Sequence, residues 1–290
     1  MRAWFLAIRP KTLVAAVIPV LVGTALASAS GASVRWTLSA FALLGAVFIQ
    51  IATNLFNDVL DFKKGIDTVA RLGPVRVTQS GLLSEQQVWR GALVFLVLAI
   101  LCGIPLVVAG GWVIVVIGLF SLLFAYLYTG GPWPLSALGL GEPFVILFFG
   151  LVAVGGVYYL QTETWNVSAF VAGMQVGCLA TVLLAVNNLR DVEQDQKSGR
   201  KTLPVRFGIA AARMEMALLL LVPFVLNIFW WQQGYKLVAL LPLVALPFAY
   251  EVVHGVRTVP PSAAYNYFLA RAALVQLNFG GMLAVGMFWK

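Results

Sequence analysis

Apolar runs long enough to cross a bilayer recur along this whole chain, at roughly 12–30, 38–57, 91–109, 111–129, 143–161, 168–189, 214–232, 236–253 and 268–288. Lipid offers no partner to a bare backbone N–H or C=O, so such runs are confined to helices that close their own hydrogen bonds. The pattern predicts an all-α integral membrane protein, a bundle of about nine transmembrane helices. Residues 1–290 read as a single transmembrane domain with no separate soluble part. With 61% hydrophobic and only 10% charged residues, the composition excludes an ordinary soluble globule. Arg2, Arg9 and Lys11 precede a first run too long for the apolar core of a cleavable leader, so that run reads as a retained helix.

The net charge of +8 reads as a topology signal rather than a nucleic-acid footprint. With the N-terminus in the cytoplasm and the spans threaded alternately, all but three of the 19 Lys and Arg fall on the inner side. The exceptions are Arg35, Lys236 and Lys290. The positive-inside rule favours this orientation. It places a multi-pass protein in the cell membrane with its long loops, and the expected active site, facing the cytoplasm. No nucleic-acid partner is expected. Cys102 and Cys178 fall within apolar spans and read as small buried hydrophobes. The lone histidine, His254, reads as an interfacial residue at a helix end.

Two polar clusters interrupt the apolar pattern and resemble each other. The first carries Asn54, Asn57, Asp58, Asp61, Lys63, Lys64, Gly65 and Asp67; the second carries Asn187, Asn188, Arg190, Asp191, Glu193, Asp195, Lys197 and Gly199. Each sets an Asn four residues before an Asp, another Asp one helical turn on, then Lys and Gly. Matching Asp58 with Asp191 also pairs Asn54 with Asn187, Val59 with Val192 and Lys64 with Lys197. Two pseudo-repeats, 54–76 and 187–206, are therefore expected to face one central cavity. The spacing differs, three residues from Asp58 to Asp61 against four from Asp191 to Asp195. Carboxylates beside a bilayer are costly, so their concentration here marks a function.

Asn and Asp four apart share a helix face, as do Asp58 with Asp61 and Asp191 with Asp195. Two such faces brought together gather carboxylates that cannot all stay ionised without a counter-charge. Magnesium suits them, because it takes oxygen ligands from one or two carboxylates plus substrate phosphates. The basic residues that follow the clusters, Lys63, Lys64, Arg71, Arg76, Lys197, Arg200, Lys201 and Arg206, suit a polyanion, arginine especially through forked phosphate contacts. Apolar surroundings favour a lipid diphosphate, since each buried methylene contributes about 0.8 kcal/mol. Allylic diphosphates ionise once metal and cationic side chains neutralise the leaving group, and the cation formed needs a dry cavity.

On these residues the chain resembles the UbiA-type membrane prenyltransferases and, within them, the MenA-type 1,4-dihydroxy-2-naphthoate polyprenyltransferases of menaquinone biosynthesis. The likeness begins at Arg9-Pro-Lys-Thr-Leu13 and continues through Asn54-x3-Asp58-x2-Asp61-x3-Gly65-x-Asp67 and Arg71-Leu-Gly-Pro74-Val-Arg76. Tyr126-x-Tyr128 and Gly139-Leu-Gly141-Glu142 follow, then Asn187-Asn188-x2-Asp191-x3-Asp195-x-Lys197.

The resemblance implies nine helices around a central cavity open laterally to lipid. It implies Mg²⁺, with Mn²⁺ as the alternative ion, held by Asp58, Asp61, Asp191 and Asp195 with help from Asn54 and Asn187. Lys63, Arg71, Arg76, Lys197 and Lys201 become candidates for the diphosphate, and Asp67 either a metal ligand or the partner of a loop arginine. The implied reaction joins a polyprenyl group to the naphthoate ring at the carboxylate-bearing carbon, releasing diphosphate and CO₂ and giving demethylmenaquinone. Its partners are a polyprenyl diphosphate, 1,4-dihydroxy-2-naphthoate and membrane lipid. Glu142 or Asp67 would accept a proton. Arg9 or Lys11 would hold the acceptor carboxylate or serve as topology anchors. Tyr126 and Tyr128 would face the cation or belong to the interface belt. Asn57, Gln79 and Asn188 complete the substrate-binding set. Other acceptors, such as 4-hydroxybenzoate or homogentisate, stay open, and a membrane transporter is the alternative of another class.

Overall fold

A computed structural model describes residues 2–67 and 71–289; Lys290, one of the outer basic residues named above, lies outside them. The chain opens with α1 (Arg2–Ile8), α2 (Pro10–Ala29), α3 (Trp36–Lys63) and α4 (Glu85–Leu127). The short α5 (Leu135–Leu138) and α6 (Gly141–Val145) lead through a π-helical stretch, Ile146–Val152, into α7 (Ala153–Thr162). Then come α8 (Val167–Arg190), α9 (Val192–Lys197) and α10 (Leu203–Gln232). The chain closes with α11 (Lys236–Leu240), a 3₁₀ segment, α12 (Leu246–Thr258) and α13 (Tyr265–Phe288).

Eight of the described helices, counting Gly141–Thr162 and Lys236–Thr258 as continuous, are long and apolar enough to cross a membrane. The ninth expected span is inside α4. Its 43 residues would stretch about 65 Å at 1.5 Å per residue, roughly twice a hydrocarbon core. Gly111 breaks it with φ 63° and ψ −152°, a conformation that glycine alone adopts readily. Trp89 and Tyr126, near its opposite ends, meet edge-on at 6.3 Å, so the two halves run antiparallel. The runs expected at 91–109 and 111–129 are these two halves. Ser84 starts the pair with a reciprocal capping box to Gln87.

The bundle centres on α8, whose apolar window is 83% buried, with α2 at 67% beside it; the α4 window is only 11% buried and faces outward. Ile18, Val22, Leu179, Val182, Phe279 and Leu283 knit α2, α8 and α13 into one core. Glycines bring the π-helical stretch onto α8, where a Cβ on Gly150 would stand 2.7 Å from the Gly177 Cα. Such close backbone approach is how membrane helices gain packing where lipid removes the hydrophobic drive. Inside this core Gln175 donates to the Pro223 carbonyl and to Asn227 Oδ1, both at 2.9 Å, and accepts from Trp230 Nε1. Cys102 and Cys178 are buried free thiols. At one end of the bundle the Arg35 N–H donates to Gln161 Oε1 at 2.8 Å, tying the start of α3 to the end of α7. At the other end stand the C-termini of α3 and α8–α9, which build the site.

Candidate active site

These two helix ends stop in the same way. After α3 the Gly65 N–H donates to the Phe62 carbonyl and the Ile66 N–H to the Asp61 carbonyl; after α9 the Gly199 N–H donates to Gln196 and the Arg200 N–H to Asp195. Gly65 (φ 66°) and Gly199 (φ 73°) occupy the left-handed position that this C-terminal motif requires. In turn geometry, then, Asp61 corresponds to Asp195 and Lys63 to Lys197, one residue out of step with the pairing of Asp58 and Asp191 that the sequence suggests. The extra residue is absorbed at Asp191, where α8 stops (φ −96°, ψ 11°) before α9 begins, whereas α3 runs unbroken to Lys63.

The two ends touch. Arg200 places Nη2 2.6 Å from Asp61 Oδ1 and Nη1 3.7 Å from Asp195 Oδ1, so one guanidinium spans both acidic clusters. Thr202 donates its hydroxyl to Asp195 Oδ2 at 3.3 Å, and Gln194 donates to the Ile66 carbonyl. Arg76 reaches Asp61 Oδ2 at 3.3 Å and Asp67 Oδ2 at 3.1 Å, while Arg71 pairs with the other Asp67 oxygen. Arg190 forks onto Asp191 at 2.8 and 2.7 Å and also donates to Asn266 Oδ1. Asn266 in turn donates to the Leu72 carbonyl, pinning the loop onto α13. Burial pushes Asp67 up to about 6, with Arg71 pulling the other way. Burial likewise pushes Asp195 up to about 6 against Arg200.

Above this rim opens a cavity of about 760 Å³. One face of α3 lines it with Gln50, Thr53, Asn54, Asn57 and Asp61, and α8–α9 line it with Asn187, Asn188, Asp191 and Asp195. Asn54 donates to the Ile8 carbonyl at 2.9 Å and to Thr12 Oγ1 at 3.0 Å, and Asn57 accepts from the Thr129 hydroxyl. Asn188 donates to the buried Glu142 at 2.7 Å. Arg9, Lys11, Arg71 and Arg76 stand on the same wall. Arg9 Nη2 is buried without a hydrogen-bond partner, 4.0 Å from Asp58. The deeper part is apolar and aromatic. Phe144 and Phe148 stack at 4.4 Å, and Phe124 meets them edge-on at 4.7 and 5.2 Å. Tyr128 closes that group at 6.3 Å from Phe144, its phenol held above its ordinary range by burial and then by Glu142.

Several residues expected at the site stand elsewhere. Asp58 does not line the cavity; it accepts the Thr78 N–H at 2.9 Å and the Val77 N–H at 3.1 Å, and so holds the loop that carries Arg76. Asp67 sits behind the wall between its two arginines. Lys63 pairs with Glu85 at 3.4 Å on the surface and lies over Trp89. Tyr126 packs edge-on against Phe56 at 5.5 Å, between helices. Gln79 and the Lys201 side chain are off the wall as well, and Lys201 contributes only its N–H, to the Ala137 carbonyl. Lys197 lines a second, smaller cavity of about 410 Å³ between the two glycine turns, with Lys64, Gly65, Thr129, Ser136 and Arg200. Conversely, Gln50, Arg190, Phe144 and Phe148 line the large cavity with no role expected of them there, while Arg200, one of the basic residues expected to clamp a polyanion, does stand on its wall.

The donors on the rim are oxygens only, Asp61, Asp191, Asp195, Asn54 and Asn187, which suits a hard divalent cation. Among the described residues no three His, Cys, Asp or Glu form a ready-made metal cluster. Carboxylates spread between arginines fit an ion that takes one or two of them and completes its shell with substrate phosphate oxygens.

Residues 16–274 match the UbiA prenyltransferase family. The 1,4-dihydroxy-2-naphthoate octaprenyltransferase of Escherichia coli (strain K12) is 37% identical over 226 residues, covering 76% of this chain and 73% of the relative. That of Bacillus subtilis (strain 168) is 31% identical over 287 residues, covering 96% and 90%. The 2-carboxy-1,4-naphthoquinone phytyltransferase of Synechocystis is 28% identical over 306 residues, covering 99% and 94%. Among solved structures, a UbiA homolog from Archaeoglobus fulgidus bound to GPP and Mg²⁺ shares the fold with a TM-score of 0.73 at 16% identity, covering 99% of this chain and 100% of that one. A UbiA homolog from Aeropyrum pernix K1 gives 0.71 at 13% identity, covering 97% and 98%.

Proposed function

Because the chain belongs to the UbiA prenyltransferase family, we propose that it is a magnesium-dependent aromatic prenyltransferase of menaquinone biosynthesis. It transfers a polyprenyl group from an allylic polyprenyl diphosphate to 1,4-dihydroxy-2-naphthoate, the acceptor named in its relatives. The carrying observation is the contact of Arg200 with both Asp61 and Asp195 at the mouth of an apolar, aromatic-walled cavity. That arrangement suits a charged head and an isoprenoid tail at once. The crossings among the described residues, nine with α4 counted as two, work as one catalytic unit in the cell membrane with the rim facing the cytoplasm, the side favoured by the positive-inside rule.

Asp61, Asp191 and Asp195, with Asn54 and Asn187, would hold the Mg²⁺ that accompanies GPP in the Archaeoglobus fulgidus homolog. When bound, that ion supplies the positive charge that helps the diphosphate leave. Arg71, Arg76 and Arg190 on the same wall grip the phosphates. Asp58 acts one step removed, by fixing the loop from which Arg76 projects.

As the C1–O bond of the diphosphate breaks, the ring faces of Tyr128, Phe144 and Phe148 stabilise the allylic cation and exclude water. Arg9, with its unpartnered buried Nη2, and Lys11 beside it hold the acceptor carboxylate. The ring carbon bearing that carboxylate bonds to C1. The C–CO₂ bond then breaks, its electron pair returns to the ring, and demethylmenaquinone is formed as its quinol. Glu142, oriented by Asn188, takes a ring hydroxyl proton as the new bond forms and returns it as CO₂ departs.

The test is purified full chain with Mg²⁺, several prenyl diphosphates and three acids: the naphthoate, 4-hydroxybenzoate and homogentisate. A product from the naphthoate whose mass reflects loss of CO₂ is expected. Reaction with another acid alone would overturn the acceptor, and transport of substrate without diphosphate release would favour a transporter.

A further inference from the structure

We propose that the smaller cavity is a release site for inorganic diphosphate, separate from the rim where the substrate diphosphate reacts. The inference rests on the prenyl-transfer reading above, since it takes the leaving group of that reaction as its ligand. The cavity of about 410 Å³ is lined by the cations Lys64, Lys197 and Arg200 and the hydroxyls of Thr129, Ser136 and Ser198, with no carboxylate among its described lining residues.

Arg200 is paired with Asp61 and Asp195, as Arg71, Arg76 and Arg190 on the large cavity are each paired with an aspartate; the two lysines set the smaller cavity apart. Lys197 makes no ion pair among the described residues, and Lys64 donates at 2.6 Å to the uncharged Thr129 carbonyl. Both lysine side chains are exposed. The Thr129 and Ser198 hydroxyls already donate, to Asn57 Oδ1 and to the Asp195 carbonyl. That leaves two lysines without an ion pair among the described residues, Arg200 and the Ser136 hydroxyl around a concave site, the makings of a weak phosphate site.

The two cavities adjoin. Ile66, Thr129, Ser136 and Arg200 belong to both walls, and Arg200 is the cation they have in common among the described lining residues. A diphosphate freed beside Asp61 and Asp195 therefore crosses into the smaller cavity without losing contact with the Arg200 guanidinium. A prenyl diphosphate cannot follow, because that move would drag its tail out of the apolar pocket at about 0.8 kcal/mol per methylene. The tether thus sorts product from substrate. Both α3 and α9 end at this cavity, and helix C-termini disfavour anions. Binding is accordingly weak, as release requires.

The experiment titrates inorganic diphosphate into the full chain in detergent by calorimetry, with and without a non-cleavable prenyl thiolodiphosphate filling the large cavity. Diphosphate is expected to bind in both cases. The Lys64→Gln, Lys197→Gln double variant should weaken that binding about tenfold while the KM for prenyl diphosphate stays within about twofold. Competitive loss of diphosphate binding with the analogue present would overturn the proposal. So would a KM that rises in step with the diphosphate Kd. Lys197→Gln alone, at an exposed position, keeps the test valid if the double variant misfolds, with a drop of about threefold expected. The binding arm needs no turnover, so a chain that binds diphosphate this way yet prenylates no naphthoate would sink the proposed reaction and leave this site standing.

Discussion

Arg200 and Asp61 meet at 2.6 Å although 139 residues separate them along the chain. The contact brings the second acid-rich helix end against the first, with Asp61 5% and Arg200 18% exposed. Removing one partner of a mostly buried pair leaves the other charge uncompensated, at about 3–5 kcal/mol. Arg200→Ala should therefore lower Tm and cut kcat/KM by about 100-fold or more. Arg200→Lys should recover only part, because a point charge cannot fork across two carboxylates. Wild-type turnover in Arg200→Ala would remove the bridge from the mechanism.

Asp58 serves two backbone donors, Val77 and Thr78, so its loss should show in the loop as well as in the chemistry. Asp58→Ala should abolish turnover and speed hydrogen exchange at residues 76–78, at about 1–3 kcal/mol for the donors left unpaired. Unchanged exchange in an inactive variant would return Asp58 to direct ion binding.

Tyr126 and Tyr128 should separate cleanly. Tyr126→Ala should lower Tm through the lost contacts with Phe56 and Trp89, about 1–3 kcal/mol, and leave kcat nearly intact. Tyr128→Leu should keep Tm and lower kcat about tenfold, in line with a desolvated cation–π contact. The reverse pattern in paired melting and kinetic measurements would exchange their roles.

Lys63 stands outside the cavity, half exposed and paired with Glu85. Lys63→Ala should change stability by less than about 1 kcal/mol and the KM for prenyl diphosphate by less than about twofold. A large rise in KM would put it back on the diphosphate.

Asp67 is held near 6 by burial, above its ordinary value. Between the unfolded and folded values the folded chain binds more protons than the unfolded one, so stability falls as pH rises from about 4 to about 6. Melting curves across that window should show the fall, and Asp67→Asn should flatten part of it. A slope identical in the variant would assign the effect to other carboxylates.

Much of this architecture is legible in the residues, and each gap has a physical cause. Span positions follow from the length an apolar run needs, and Gly110-Gly111 marks where α4 turns back. The acid-rich ends are legible because carboxylates near lipid are rare. Asp58 misleads because its partners are backbone N–H groups, which leave no trace in a side-chain pattern. Residues two apart on a helix point to nearly opposite sides, so only one of Tyr126 and Tyr128 can face the cavity; spacing does not say which. Arg200 is legible as a basic residue after the second cluster, but its bridge to Asp61 and Asp195 is not. Its direction is set by the glycine turn just before it and by a distant aspartate, neither visible in local periodicity.

The break at Asp191 leaves the paired halves mechanically unequal. α3 carries Asn54 and Asp61 on one unbroken rod, so those groups can shift only together. Across the way the chain changes direction at Asp191, between Asn187 and Asp195, so the second carboxylate is aimed separately from its amide. One side of the rim is thus a single rod, and the other is two segments set at an angle, each free in sequence to be tuned without the other.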